Sequence, residues 1–462
     1  MKKFFPMIVV LVVAISIIGV WRFIGGKNSS NVYALDNVNC IPNQLVIGYD
    51  SDADLNQYSV SIREKFNLTQ LEKAYKGSFE VVQFPADKKM ADLIELIKVE
   101  PGVLYVEPNQ ICEATYVPND PYYNTYQWNF FTKGKLFRGT ASGNIQTASN
   151  YGIQAESAWD SFKPTNTATG AKYPGEGVKV AILDTGIAYA NYITLGGIST
   201  STSTFKKAPD LEGTIFDTVN AKNFSAYPYT QRAFDDHGHG THVCGTIAQA
   251  TNTTTAVGCA GIAYKATILP VKVLNKYGSG TNAMVANGIY WATDHDAKII
   301  NMSLGSSYGD LTLYNAIKYA YSRGVVIVCA SGNNNGAVSY PAAYSTECIA
   351  VGATDFYGRR CSFSNFGSSL DIVAPGQYIV QQTLASSSNL SVFSYLSWAG
   401  TSMASPHVAG VAALVWSKNP TFTRDQVKAA LLSTAKDLGS AGFDIYFGNG
   451  LLDANAAVKW AP

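Results

Sequence analysis

Apolar and polar positions fall along the chain in three regimes. Residues 6–21, PMIVVLVVAISIIGVW, form an almost unbroken apolar run preceded by Lys2 and Lys3. This matches the charged and hydrophobic regions of a signal peptide, with a cut expected after Ala34 in VYA. The run is short for a spanning helix; left uncut it would be an anchor, which is the alternative. Residues 43–111 then alternate in short units. QLVIGYD, FEVVQF and VLYVEPNQI read as strands, and ADLNQYSVSIREKF and MADLIELIKVE as helices, which predicts a small α+β domain. A polar joint with prolines follows, ATYVPNDPYY at 114–123. Beyond it, continuous apolar runs at 178–183, 266–274, 298–304, 324–330, 348–353 and 370–374 alternate with helical periods at 281–295, 309–323, 403–418 and 423–437. Apolar runs of that length, spaced by amphipathic helices, predict an α/β fold: a doubly wound, largely parallel sheet flanked by helices. Sites in such sheets gather at the carboxyl ends of strands. The Ser-, Thr-, Asn- and Gly-rich stretches 132–150 and 192–207 read as surface loops.

Composition narrows the picture. Hydrophobic residues make up 47% and charged residues 15%, as in a chain with a large buried core, and the net charge of +1 gives no electrostatic case for nucleic acid. The seven cysteines (40, 112, 244, 259, 329, 348, 361) are dispersed and contain no C-x-x-C pair, so neither a small disulfide scaffold nor zinc is indicated. An odd number leaves at least one free or paired between chains. Cys329 and Cys348 lie on successive predicted strands, where a disulfide is conceivable. Asn39 before Cys40 argues against a lipid anchor.

Three segments place reactive side chains at strand ends or helix starts. VAILDTGI sets Asp184 after an apolar strand, DDHGHGTHVCGT sets His239 at the start of a small-residue helix, and GTSMASPHVAG sets Ser402 at the start of another. A serine hydroxyl is a poor nucleophile until an imidazole takes its proton, and the imidazole needs a carboxylate to fix its tautomer. Taken singly, each residue has a plain structural reading. Ser402 could cap its helix, Asp184 could close a turn, and Asn333 could belong only to a Gly-Asn loop. His237, His239 and His242 beside Asp235 and Asp236 lack the H-E-x-x-H pattern of a zinc site. His242 reads as a structural helix residue, Cys244 as a small buried one near the base, and His237 and His295 as exposed.

Taken together, VAILDTGI, HGTHVCGT, ASGN and GTSMASP, in that order, resemble the subtilisin-like serine protease family. The resemblance runs from about residue 118 to GNGLLDANAAVK near the C-terminus. It implies Ser402 as nucleophile, His239 as general base and acid, Asp184 as orienting carboxylate and Asn333 as a side-chain donor to the oxyanion. The backbone N–H of Ser402 would be the second donor. SLG (Ser303, Leu304, Gly305) and GSG (Gly278, Ser279, Gly280) resemble the segments that flank an extended peptide. Ala330 and Gly332 would line the main specificity pocket, whose small walls predict large apolar or aromatic side chains before the cut.

The same resemblance implies a domain plan and a cofactor. Residues 1–34 would be a signal peptide, 35–116 an inhibitory and chaperoning prodomain cut off near Tyr116, and 117–462 the peptidase domain. Calcium is the expected structural ion. APDL offers Asp210 and PNDPYY offers Asp120 as ligands, while the loop TNTTTAVG at 251–258 departs from the family pattern. The expected protein is a secreted, self-processing serine endopeptidase with protein or peptide substrates and its own prodomain as inhibitor. Its rivals are a pseudoenzyme that keeps the fold and a membrane-anchored maturation protease.

Overall fold

The computed structural model describes residues 40–462 except 75–76, 111–117, 132–136, 139–144, 147–150, 163–172, 195–202 and 252–257. The run at 6–21 and the boundaries near Ala34 and Tyr116 therefore lie outside the described residues. The chain divides into two compact units, residues 1–114 and 115–462.

In the first unit, strands Cys40–Tyr49, Thr69–Lys73, Phe79–Gln83 and Val103–Gln110 form one antiparallel sheet. Helices Asp52–Phe66 and Met90–Ile97 accompany it. Leu45, Ile47, Leu55, Ile62, Val82, Leu93 and Ile97 make its core. Strand Thr69–Lys73 does not show in the sequence pattern, because each of its residues is exposed and none alternates into the core. The first helix is entered through Ser51, whose hydroxyl accepts the Asp54 N–H.

The second unit is built on a parallel sheet. Its strands run in the order Ile215–Phe216, Thr267–Lys272, Lys179–Asp184, Ile299–Met302, Val326–Ala330, Cys348–Thr354, Ile372–Pro375, with Lys222–Asn223 also paired to Thr267–Lys272. Alternate residues of each strand go to opposite, equally buried faces. Val180 and Ile182 pack with Val243, Ile247, Val408 and Val411, whereas Ala181 and Leu183 pack with Val285, Ile289, Leu313 and Ile317. Burial on both faces is why these strands read as continuous apolar runs. Helices His239–Ala248 and Thr401–Lys418 lie on one face, Asn282–Asp294 and Leu311–Ser322 on the other. From Lys179–Asp184 the chain crosses first to Thr267–Lys272 on one side and later to Ile299–Met302 on the other. Asp184 thus sits at the switch point of the sheet, where such folds leave a crevice.

Two features depart from the sequence pattern. Strands Ile379–Ser386 and Asn389–Trp398 pair as a long antiparallel hairpin leading into the Ser402 helix. Its second strand is only partly buried and mixes polar with apolar residues, so no period announces it. Within the stretches read as loops, Tyr192–Thr194 pairs with Ser203–Phe205, and Phe137–Arg138 with Ile145–Gln146.

Candidate functional site

The strand Lys179–Asp184 delivers a fully buried carboxylate. Gly186, two residues on, turns the chain at φ +103°, a conformation costly for a side chain with a Cβ. His239 opens its helix, and its Nδ1 lies 2.7 Å from Asp184 Oδ1. Asp184 Oδ1 also accepts the Thr185 N–H at 2.7 Å. A carboxylate facing Nδ1 needs a proton there, which leaves Nε2 as the basic nitrogen. Burial alone would pull the pKa of His239 down; Asp184, by charge and hydrogen bond, and Asp235, by charge, outweigh it, and the net shift is upward. His242, one turn further, is fully buried, donates through Nε2 to the Leu396 carbonyl, and is held near a pKa of 3 by that burial. Trp398 stacks on both rings, 4.6 Å from His242 and 6.2 Å from His239.

Ser402 is the second residue of the helix Thr401–Lys418, entered through Gly400. Its hydroxyl donates to the Ser303 carbonyl at 3.1 Å, and the Ser303 hydroxyl donates to the Ser402 carbonyl at 2.9 Å. In this rotamer the hydroxyl is satisfied by the Ser303 acceptor rather than by the imidazole. His239 and Ser402 nevertheless line one cleft of 490 Å³. Ser303, Leu304 and Gly305 form one wall and Gly278, Ser279 and Gly280 another. Val285, Leu313 and Tyr340 add apolar lining that no motif announced.

A second cavity of 220 Å³ adjoins Ser402, lined by Ala330, Gly332, Asn333 and Thr401. Asn333 Oδ1 accepts both the N–H and the hydroxyl of Thr401, each at 2.9 Å. With its oxygen so held, the amide N–H₂ is the end left for a ligand. Ser339 also lines this cavity and accepts from Asn365 Nδ2 at 3.2 Å. Asn365, 1% exposed, further accepts the N–H groups of Asn334 and Gly336 and so shapes the loop. Neither residue carries a sequence signal; both arrive by tertiary contact.

The expected calcium ligands lie elsewhere in this unit. Asp120 and Asp210 are 2% and 3% exposed. Burial pushes the Asp210 carboxyl up to about 7 against hydrogen bonds from the Cys259 N–H and the Tyr395 hydroxyl, and Asp120 pushes it further. Two buried carboxylates in electrostatic contact, with hard oxygen donors, fit a cation such as calcium. Among the described residues no group of three or more His, Cys, Asp or Glu side chains gathers as a metal site. Most of the loop 251–258 lies outside the described residues.

Other readings are adjusted. His237 is not simply exposed: it lines the cleft, and its Nδ1 accepts the His239 N–H at 3.3 Å. His295 is half-buried, bonded to the Trp291 carbonyl and stacked on its ring. Cys244 is buried. Cys329 and Cys348 are both free thiols in contact across neighbouring strands, not a disulfide. Cys112 lies outside the described residues.

Comparison with known proteins agrees with this geometry. Residues 175–450 match the subtilase family, and residues 27–109 match the fervidolysin N-terminal prodomain. Subtilisin Savinase of Lederbergia lenta is 42% identical over 286 residues, 62% of this chain and 92% of that protein. A thermophilic serine proteinase of Bacillus sp. strain AK1 is 33% identical over 415 residues, 87% of this chain and 86% of that protein. A solved structure of a protease from Pseudoalteromonas arctica PAMC 21717 superposes with a TM-score of 0.59 at 30% identity, covering 74% of this chain and 99% of that one. The fold and site define a subtilisin-like serine endopeptidase with an N-terminal prodomain. The chain belongs to the subtilase family.

Proposed function

We propose that the protein is a secreted endopeptidase that releases itself from its own prodomain, with Asp184, His239, Asn333 and Ser402 as its machinery. The observation that carries this reading is the 2.7 Å contact between Asp184 and His239 in a cleft shared with Ser402. A turn about the Ser402 side chain brings its hydroxyl from Ser303 to His239 Nε2. The oxygen attacks the scissile carbonyl as its proton passes to Nε2, and Asp184 stabilises the imidazolium. The oxyanion is met by Asn333 Nδ2 and the Ser402 N–H. The proton then goes to the leaving amine, and water hydrolyses the acyl-serine by the same route.

An extended substrate lies between 303–305 and 278–280. The side chain before the cut enters the cavity of Ala330 and Gly332, whose small walls favour large apolar or aromatic groups. Exclusive cleavage after Lys or Arg in a peptide library would reject that preference. Residues 1–34 act as signal, 35–116 as prodomain and inhibitor, and 117–462 as peptidase. The prodomain match at 27–109 and the unit boundary after residue 114 support this plan. Asp120 and Asp210 would hold calcium, which would supply positive charge against their buried carboxylates.

The deciding experiment compares the chain lacking its signal segment with its Ser402→Ala variant, by mass and N-terminal sequencing. Self-cleavage near Tyr116 is expected in the first and none in the second. Equal cleavage in both would reject Ser402 as the nucleophile of processing.

A further inference from the structure

One carboxylate beside the site is not used by the chemistry above. Asp235 is 1% exposed. Its Oδ1 accepts the N–H groups of His237 (3.0 Å) and Gly238 (2.8 Å) and the hydroxyl of Thr185 (2.9 Å). Its Oδ2 accepts the N–H (2.9 Å) and the hydroxyl (2.6 Å) of Thr241. Thr185 follows Asp184 in the chain, and residues 237–241 carry His239. The Thr185 hydroxyl closes the circuit by accepting the Gly240 N–H at 2.9 Å. One buried carboxylate therefore grips both segments whose side chains must meet.

We infer that Asp235 is a positioning residue for this reaction: it locks the Asp184 and His239 segments into one frame and sets a second buried negative charge near the imidazole. The inference rests on the reading of His239 as the base. An ordinary helix cap would need only one or two of these bonds and would affect stability alone. The bond to Thr185 reaches the residue that follows the strand Lys179–Asp184, and the charge of Asp235 adds to that of Asp184 in favouring the protonated ring. The other groups around His239 do not substitute for it. His242 on its own helix is held neutral, Trp398 from the hairpin and Ser402 are uncharged, and His237 on the approach contributes a ring nitrogen to the backbone. The nearby cation, Lys272, is paired at 2.7 Å with Asp236, not with Asp235.

The test uses the full chain, matured and corrected for active-site concentration, on a short peptide substrate. Asp235→Asn should lower kcat by about 10-fold or more with KM within about 2-fold. It should also move the acid limb of the kcat/KM profile down by about half a pH unit, because a charge that favours imidazolium has gone. Thr185→Val, which removes the bridging hydroxyl but keeps the charge, should lower kcat and leave the limb in place, and Thr185→Ser should restore kcat. Wild-type kcat and limb in Asp235→Asn would overturn the inference. If that variant does not fold, equal kcat for Thr185→Val and wild type would overturn it instead. The Ser402→Ala processing experiment above separates the two claims. Self-cleavage retained there rejects the reading of the site, whereas self-cleavage lost there with Asp235→Asn unchanged rejects only Asp235.

Discussion

At the scale of single residues, the site depends on how one imidazole is held. Because the pKa of His239 is raised above its usual 6.5, the neutral ring that accepts the serine proton forms only at higher pH. The kcat/KM profile should therefore rise along an acid limb centred above 6.5. Asp184→Asn removes the larger of the two raising charges and the acceptor that fixes the tautomer. It should lower kcat about 10⁴-fold and shift that limb downward; an unshifted limb would mean the titrating group is not His239. Asn333 tests a different term. Its oxygen is occupied by Thr401, so its N–H₂ has one use in the cleft. Asn333→Ala should cost about 10²–10³-fold in kcat with little change in KM, a magnitude carried over from subtilisin. A matching rise in KM would instead point to ground-state binding.

At the scale of elements, the motif glycines have a steric reason. A Cβ on Gly240 would stand 2.1 Å from the Gly186 carbonyl and 3.1 Å from the Asp184 Cβ. The His239 helix starts that close to the strand end, and across that short gap the imidazole meets the Asp184 carboxylate at 2.7 Å. Gly240→Ala should push the helix away, lowering stability by about 1–3 kcal/mol and lowering kcat with it. Thermal melting and peptide hydrolysis check this, and a wild-type melting point with wild-type turnover would count against the close approach. The same packing explains what could be read in advance. Strands such as Val326–Ala330 are buried on both faces, so their apolar runs stand out, and the segments around Asp184, His239 and Ser402 are contiguous in sequence. Strand Asn389–Trp398 and the edge strand Thr69–Lys73 lack such burial, and Ile379–Ser386 buries the polar Gln381, Gln382 and Thr383 among its apolar residues, so none of the three left an apolar run. Ser339, Asn365 and Trp398 come to the site from loops and strand ends, through contacts that only the folded chain defines.

At the scale of the whole molecule, the catalytic unit buries two carboxylates, Asp120 and Asp210, away from its cleft. Asp210 is held at a helical turn, Pro209–Leu211, while Asp120 comes from the start of the same unit, next to Tyr122, whose N–H donates to the Gly258 carbonyl at 2.8 Å. Tyr122 packs edge-on against Tyr395, 4.6 Å between centroids, and Tyr395 is bonded to Asp210. The entry strap, the base of the 251–258 loop and the long hairpin therefore converge on two acids that repel each other in a buried place. A cation that binds only the folded arrangement stabilises it by mass action, about 2.7 kcal/mol at a hundredfold excess over its dissociation constant. Calcium should raise the melting temperature of the mature enzyme and a chelator should lower it, without a direct effect on the Asp184–His239 pair. Asp210→Asn keeps an acceptor for the Cys259 N–H but removes half the charge, so its melting temperature should lose most of its response to calcium. A variant that responds to calcium as strongly as the wild type would move the ion to other ligands and leave the two buried acids without this account.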